Sequence, residues 1–335
     1  MRCLDFFDFD NRRQFFDELV RTTPEGDHFC SSSDWIIPAR EAFAEDADAC
    51  ILEDAAGMIA LMAVPIEGWG RTLVPLESSW GFALPFAGAE PTLLVERLYY
   101  YLTQSSDAPK WESLLIPGLE PEGRTLGALV RWFAPEHRIG LGPTMLRHRA
   151  QIDGGFEGWR NNRTPKFLRN MRLALRRAES AGVDRTYIVP STVDDFEQAF
   201  ERALNIELRG WKGASETGFG TPPMQFFYRR VCERLLDTKS LRFVFVRAEG
   251  IDIGFAFGAV RDNLFRGFQL GYADSHRHLS PGNLAQLSLI EELANEGVAI
   301  YDLGMDMEYK RGWADTTFQT VSILISRPPA NTFMF

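Results

Sequence analysis

The sequence is poor in the features that mark a secreted, membrane-spanning or metal-built protein. It has four cysteines, Cys3, Cys30, Cys50 and Cys232, none in a Cys-x-x-Cys pair, and five histidines. That excludes a disulfide framework and the usual zinc-ligand spacings, so reduced thiols and no metal are expected. No apolar run approaches the roughly 20 residues of a membrane helix. The N-terminus, Met1-Arg2-Cys3-Leu4-Asp5, places an acid where a secretory leader needs a basic stretch and then an apolar one. Together these absences predict a cytoplasmic location. Basic residues are also in deficit, with 36 Lys and Arg against 46 Asp and Glu, a formal charge of −10 and a pI of about 5.2. Such a surface repels nucleic acid and anionic membranes over a Debye length of roughly 8 Å, so a polyanion needs a local basic patch.

What is present is ample apolar material. Hydrophobic residues make up 45% of the chain and charged residues 24%, the balance of a globular protein. The 26 phenylalanines predict well-filled sheets and pockets. At 335 residues the chain exceeds a single core, and two domains are expected, 1–150 and 151–335. In the first, periodicity predicts a helix over Asn11–Val20 and one starting near Trp35, capped by Ser33 or Asp34. Strands are expected at Ala49–Glu53, Met58–Pro65 and Leu114–Ile116, a helix at Pro91–Gln104, and a break over Pro117–Gly123. The second half opens with seven basic residues and no acid between Arg160 and Arg177. Helices then read at Asp194–Arg209 and Phe226–Leu236. Strands follow at Leu241–Arg247, Ile251–Arg261 and Leu264–Tyr272, then a helix over Gly282–Glu296 and strands at Val298–Leu303 and Phe318–Ile325. This is an α+β order.

Several stretches carry a family likeness. They are Lys166-Phe167-Leu168-Arg169-Asn170-Met171-Arg172, Glu207-Leu208-Arg209-Gly210-Trp211-Lys212-Gly213 and Gly271-Tyr272-Ala273-Asp274 with Leu279-Ser280-Pro281-Gly282. The last is Tyr301-Asp302-Leu303-Gly304 followed by Tyr309-Lys310-Arg311-Gly312-Trp313. In this order and spacing they resemble the FemAB-like, CelD-related acyltransferases of the GNAT fold, over about 155–325. The resemblance implies two GNAT-like domains in tandem, each a mixed, mostly antiparallel sheet flanked by helices, the N-terminal one degenerate. GNAT enzymes that bind acyl-CoA commonly carry Arg/Gln-x-x-Gly-x-Gly/Ala at the pyrophosphate loop. Arg277-His278-Leu279-Ser280-Pro281-Gly282 fits that pattern except that Ser280 replaces its first glycine.

The candidate residues have bland readings beside the functional ones. Arg277, Ser280, Gly282 and Asn283 precede a helix, where free backbone N–H groups bind an anion; a plain serine cap satisfies the same residues. Arg163, Lys166, Arg169, Arg172 and Arg176 recur at three- or four-residue steps, a face for a phosphorylated substrate or an RNA backbone, or a merely solvated one. Trp211 and Lys212 suit a flat or anionic group; their alternative is helix-end packing. Asp302, at a strand end, is a candidate base for an attacking amine or a brace for the following turn, and Glu207 and Asp274 compete with it. Lys310 can stabilise an oxyanion and Tyr309 protonate a leaving group, or both, with Trp313, can be anchors. Tyr272 and Trp313 join Trp211, Lys212, Asp274, Lys166 and Arg169 as expected substrate contacts.

The resemblance implies an N-acyltransferase with acyl-CoA as co-substrate and a small-molecule amine as acceptor, working by direct attack. The alternatives are a FemAB-type aminoacyltransferase that takes its donor from tRNA, and an inactive accessory protein of envelope or polysaccharide synthesis. No Ser/His/Asp or Cys/His/Asp pattern compels a covalent intermediate.

Overall fold

A computed structural model describes residues 1–210, 213 and 218–328. The chain falls into two units, Met1–Met145 joined by the residues from Gln319 on, and Leu146–Phe318. A single cut near residue 150 does not reproduce this division, because the last strand carries Val321, Ile323 and Ile325 into the core of the first unit.

The first unit opens with β1 (Arg2–Leu4), α1 (Phe6–Asn11), α2 (Arg13–Thr22) and α3 (Ser33–Phe43). One helix was expected over Asn11–Val20; Arg12, at φ −104° and ψ 13°, splits it into two. Neither Ser33 nor Asp34 caps α3. Instead the Asp17 carboxylate of α2 accepts from the Ser33 backbone N–H at 2.7 Å and from its hydroxyl at 2.9 Å, a cap from outside the local sequence. There follow β2 (Asp48–Asp54), β3 (Gly57–Ile66), β4 (Gly70–Pro75), β5 (Phe86–Ala87), α4 (Pro91–Gln104), β6 (Ser113–Leu119), α5 (Arg124–Phe133) and β7 (Arg138–Leu141). The strand β6 runs through Pro117 and Gly118, where a break was expected. Its pairing with the chain's last strand, β14 (Thr316–Ser326), shifts register between Val321 and Ile323, and that irregularity absorbs the proline. The sheet order is β1-β2-β3-β4-β6-β14, with β4 and β6 parallel and the other pairs antiparallel.

The second unit contains β8 (Met145–Gln151), α6 (Gly155–Asn161), α7 (Pro165–Ser180), β9 (Asp184–Ile188), α8 (Val193–Glu207), α9 (Pro222–Leu236), β10 (Leu241–Ala248), β11 (Ile251–Arg261), β12 (Leu264–Tyr272), α10 (Pro281–Asn295) and β13 (Ile300–Met305). Its sheet runs β8-β13-β12-β11-β10-β9, with β12 and β13 parallel and the rest antiparallel. Both units therefore repeat one plan. A three-stranded antiparallel meander leads through a crossover helix, α4 or α10, to a strand parallel to the meander's third strand. This is the expected tandem α+β architecture.

Strand alternation explains where the phenylalanines go. Phe243 and Phe245 of β10 and Phe255 and Phe257 of β11 form one ring cluster with Phe200, Phe219 and Tyr228. Val244, Val246 and Ala256, which alternate with them, join a second cluster with Leu284, Leu289 and Leu293 of α10 and Met171 and Ala178 of α7. With both faces of the sheet covered, α10 is buried on nearly every side.

Candidate active site

The parallel register of β12 and β13 pairs only Leu264, Phe265 and Arg266 with Ile300, Tyr301 and Asp302. Past Arg266 the strand β12 runs on to Tyr272 without that register, and a cavity of about 440 Å³ lies at this end. Its walls come from the end of α8, from Leu270–Tyr272, from the start of α10 and from Met307 and Tyr309.

The entry to α10 is built for close approach. Ser280 sits in the left-handed region at φ 58° and ψ 46°, the conformation a glycine adopts most easily, and it makes no side-chain cap bond. The turn thus keeps its glycine-type geometry with a serine in place. Pro281 occupies the first helical turn, where its missing N–H costs nothing. The N–H groups of Gly282 and Asn283 in the first turn have no intrahelical acceptor, and the helix dipole adds partial positive charge there. A Cβ on Gly282 would lie 3.1 Å from the Tyr272 ring and 3.3 Å from Leu270, so a side chain there would invade the cavity wall. In the first unit the corresponding crossover helix α4 starts after Glu90, a carboxylate where the second unit offers Arg277 and Ser280.

Glu207, the last residue of α8, reaches the cavity while only 2% exposed. Its Oε2 lies 2.5 Å from where a Cβ of Gly271 would be, so only glycine at 271 admits the carboxylate against β12. The helix end is tied to the strand by the Asp274 N–H, which donates to the Arg209 carbonyl at 3.2 Å. Upstream, a capping box of Thr192 and Asp195 fixes the start of α8.

Seven of the residues expected from sequence meet in this cavity: Glu207, Tyr272, Arg277, Ser280, Gly282, Asn283 and Tyr309. The others lie elsewhere. Asp302 is 1% exposed and accepts from Arg147 at 2.5 Å, Arg266 at 2.8 Å and the Gly304 N–H at 2.8 Å, with Arg149 at 3.5 Å. Its oxygens are engaged by guanidiniums, so the geometry favours a buried counter-ion over a base that meets an amine. Trp313 is 2% exposed, stacked on Trp159 at 5.8 Å and edge-on to Phe167 at 4.9 Å, a core position that leaves no face for a substrate. Lys310 Nζ donates to the Met305 carbonyl at 3.0 Å and so braces the turn that carries Tyr309. Asp274, Lys166 and Arg169 are exposed, outside the cavity. Trp211 and Lys212 lie outside the described residues.

Arg163 leaves the expected basic face. It is buried, paired with Asp315, and donates to the Ala314 carbonyl at 2.8 Å. The remaining face on α7 is exposed. Its end forms an open groove of about 560 Å³ with Arg176, Arg177 and His278, beside the turn leading to α10.

Sequence reasoning missed Gln286, which lines the cavity one helical turn beyond Gly282. It is 3% exposed, and its Nε2 has no hydrogen-bond partner among the described residues. A buried donor left in that state costs about 1–3 kcal/mol. The available signal was a lone amide in the otherwise apolar run Leu284-Ala285-Gln286-Leu287.

Residues 165–311 match the family model described as an acetyltransferase (GNAT) domain. The chain resembles GNAT acetyltransferases over this segment. Its cavity, with Glu207 from one helix and the start of α10 on the other side of β12, belongs to the matched segment. Solved structures show the same fold over nearly the whole length. FemX matches with a TM-score of 0.65 at 12% identity, over 96% of this chain and 97% of its own. A Bacteroides thetaiotaomicron protein of unknown function gives 0.59 at 12%, over 95% and 97%. The C-terminal domain of a putative lysylphosphatidylglycerol synthetase from Agrobacterium fabrum gives 0.52 at 12%, over 86% and 90%. No curated protein matches the sequence. The fold is thus the one shared by FemX and the GNAT domain. Among the described residues no helix is long and apolar enough to cross a membrane.

Proposed function

We propose that the GNAT domain transfers an acyl group from an acyl-CoA thioester to an amine by direct attack. The observation that carries this reading is one cavity that joins the N-terminus of α10 to a buried carboxylate. The donor's diphosphate meets the N–H groups of Gly282 and Asn283, with Arg277 adding charge at the rim. Glu207 takes the proton from the attacking nitrogen, and Tyr309 gives one to the departing thiolate. Holding donor and amine together in one cavity adds the rate gain of proximity and orientation. The nitrogen–carbon bond forms as the carbon–sulfur bond breaks, so the products are an amide and free CoA.

A donor carried on tRNA is the second reading, favoured by the exposed cations Lys166, Arg169, Arg172 and Arg176 of α7. Titration calorimetry with CoA and acetyl-CoA separates the two. The acyl-CoA reading expects saturable binding at low salt and at 0.3 M salt alike, weakened at least tenfold in Gly282→Asp. Absence of CoA binding, together with tRNA binding that collapses as salt rises, favours the second.

A further inference from the structure

We infer that Gln286 reads the pantetheine arm of the acyl donor, its Nε2–H donating to an amide carbonyl oxygen of that arm inside the cavity. This inference rests on the acyl-CoA reading of the same site.

Packing does not explain this amide. The helix α10 is buried over Leu284–Ile290, and leucine or methionine at 286 would fill the same volume without an unmet donor. The other polar side chain of that stretch, Ser288, is satisfied, accepting from Arg185 at 2.9 Å. Gln286 is not, although it is 3% exposed and lines the cavity. A buried donor without a partner on a cavity wall is complementary to an acceptor that arrives with the ligand.

Its position decides which part of the ligand that is. Gln286 lies four residues after Gly282, hence on the same face and roughly 6 Å further along the helix. A diphosphate held at the first-turn N–H groups leaves Gln286 facing the next segment of the donor. In an acyl-CoA that segment is the pantetheine arm, whose polar acceptors are amide carbonyls and a hydroxyl. Leu270, Gly271 and Met307 line the same cavity and bring no side-chain acceptor of their own, and the Glu207 carboxylate is held against Gly271.

The test compares CoA with adenosine 3′-phosphate 5′-diphosphate, which keeps the nucleotide and diphosphate and lacks the arm. Calorimetry on the full chain and on Gln286→Leu and Gln286→Met is expected to show CoA bound about 5- to 10-fold more weakly by both variants. The armless nucleotide binds all three proteins equally, and the variants without ligand melt at or above the wild-type temperature. Equal CoA affinity in the variants overturns the inference. So does an equal loss for the armless nucleotide, which would place Gln286 at the phosphates. A melting temperature lowered by several degrees in both variants also overturns it, since the amide would then be structural. A wild-type protein that binds neither ligand instead removes the acyl-CoA reading, a failure seen before any variant is made.

Discussion

Two carboxylates in the second unit show how environment assigns a task. Both are nearly sealed from solvent, Glu207 at 2% and Asp302 at 1% exposure. Asp302 is surrounded by Arg147, Arg149 and Arg266, with the Phe318 ring 4.4 Å from the Arg149 guanidinium. Removing one partner from such a cluster leaves buried charge uncompensated and costs about 3–5 kcal/mol. Asp302→Asn should therefore unfold at clearly lower urea concentration; an unchanged midpoint with lost activity would return Asp302 to the role of base. Glu207 faces the cavity, and Glu207→Gln should keep the wild-type melting temperature within a few degrees while kcat falls about 10²-fold or more. Full activity in that variant would remove it from proton transfer.

At the scale of elements, the helix starts and ends do the positioning. The C-terminus of α8 delivers Glu207, the N-terminus of α10 presents unpaired N–H groups, and the end of β12 lies between them as a wall. The end of α7 adds the groove with Arg176, Arg177 and His278 next to the same turn. If that groove takes the 3′-phosphate of the donor, the paired change Arg176→Ala, Arg177→Ala should weaken CoA several-fold and leave 3′-dephospho-CoA unaffected. A parallel loss for both nucleotides would assign the groove to something else. Elements that carry strong local signals were legible from sequence, with Pro91–Gln104 matching α4 end to end. The start of α3 was not, because its cap is Asp17, sixteen residues earlier in the chain.

At the scale of the molecule, charge pairing sets the response to acid. The Arg311 guanidinium, and after it His148, holds the Asp306 carboxyl well below the usual carboxylate range. A carboxyl depressed in the folded state contributes stability above its unfolded value, about 3.9, and loses it as pH falls through the folded one. Thermal melts between pH 7 and pH 3 should therefore decline more gently in Asp306→Asn than in wild type. Parallel decline would show that the pair contributes nothing.

Local physics, read one stretch at a time, was enough for the α+β order, the meander Leu241–Tyr272 and the turn at Ser280–Asn283 that opens α10. Periodicity, turn residues and helix starts are encoded in neighbours a few positions apart. It also brought Glu207, Tyr272 and Tyr309 forward as candidates. It did not distinguish Asp302 from Glu207, detach Arg163 from the basic face, bury Trp313 or place Gln286 on the cavity wall. Each of those outcomes depends on groups far along the chain, Arg147 for Asp302 and Asp315 for Arg163, brought close only when the sheet forms. Whether a polar side chain finds a partner or lines a cavity is a property of packing, and only the folded chain decides it.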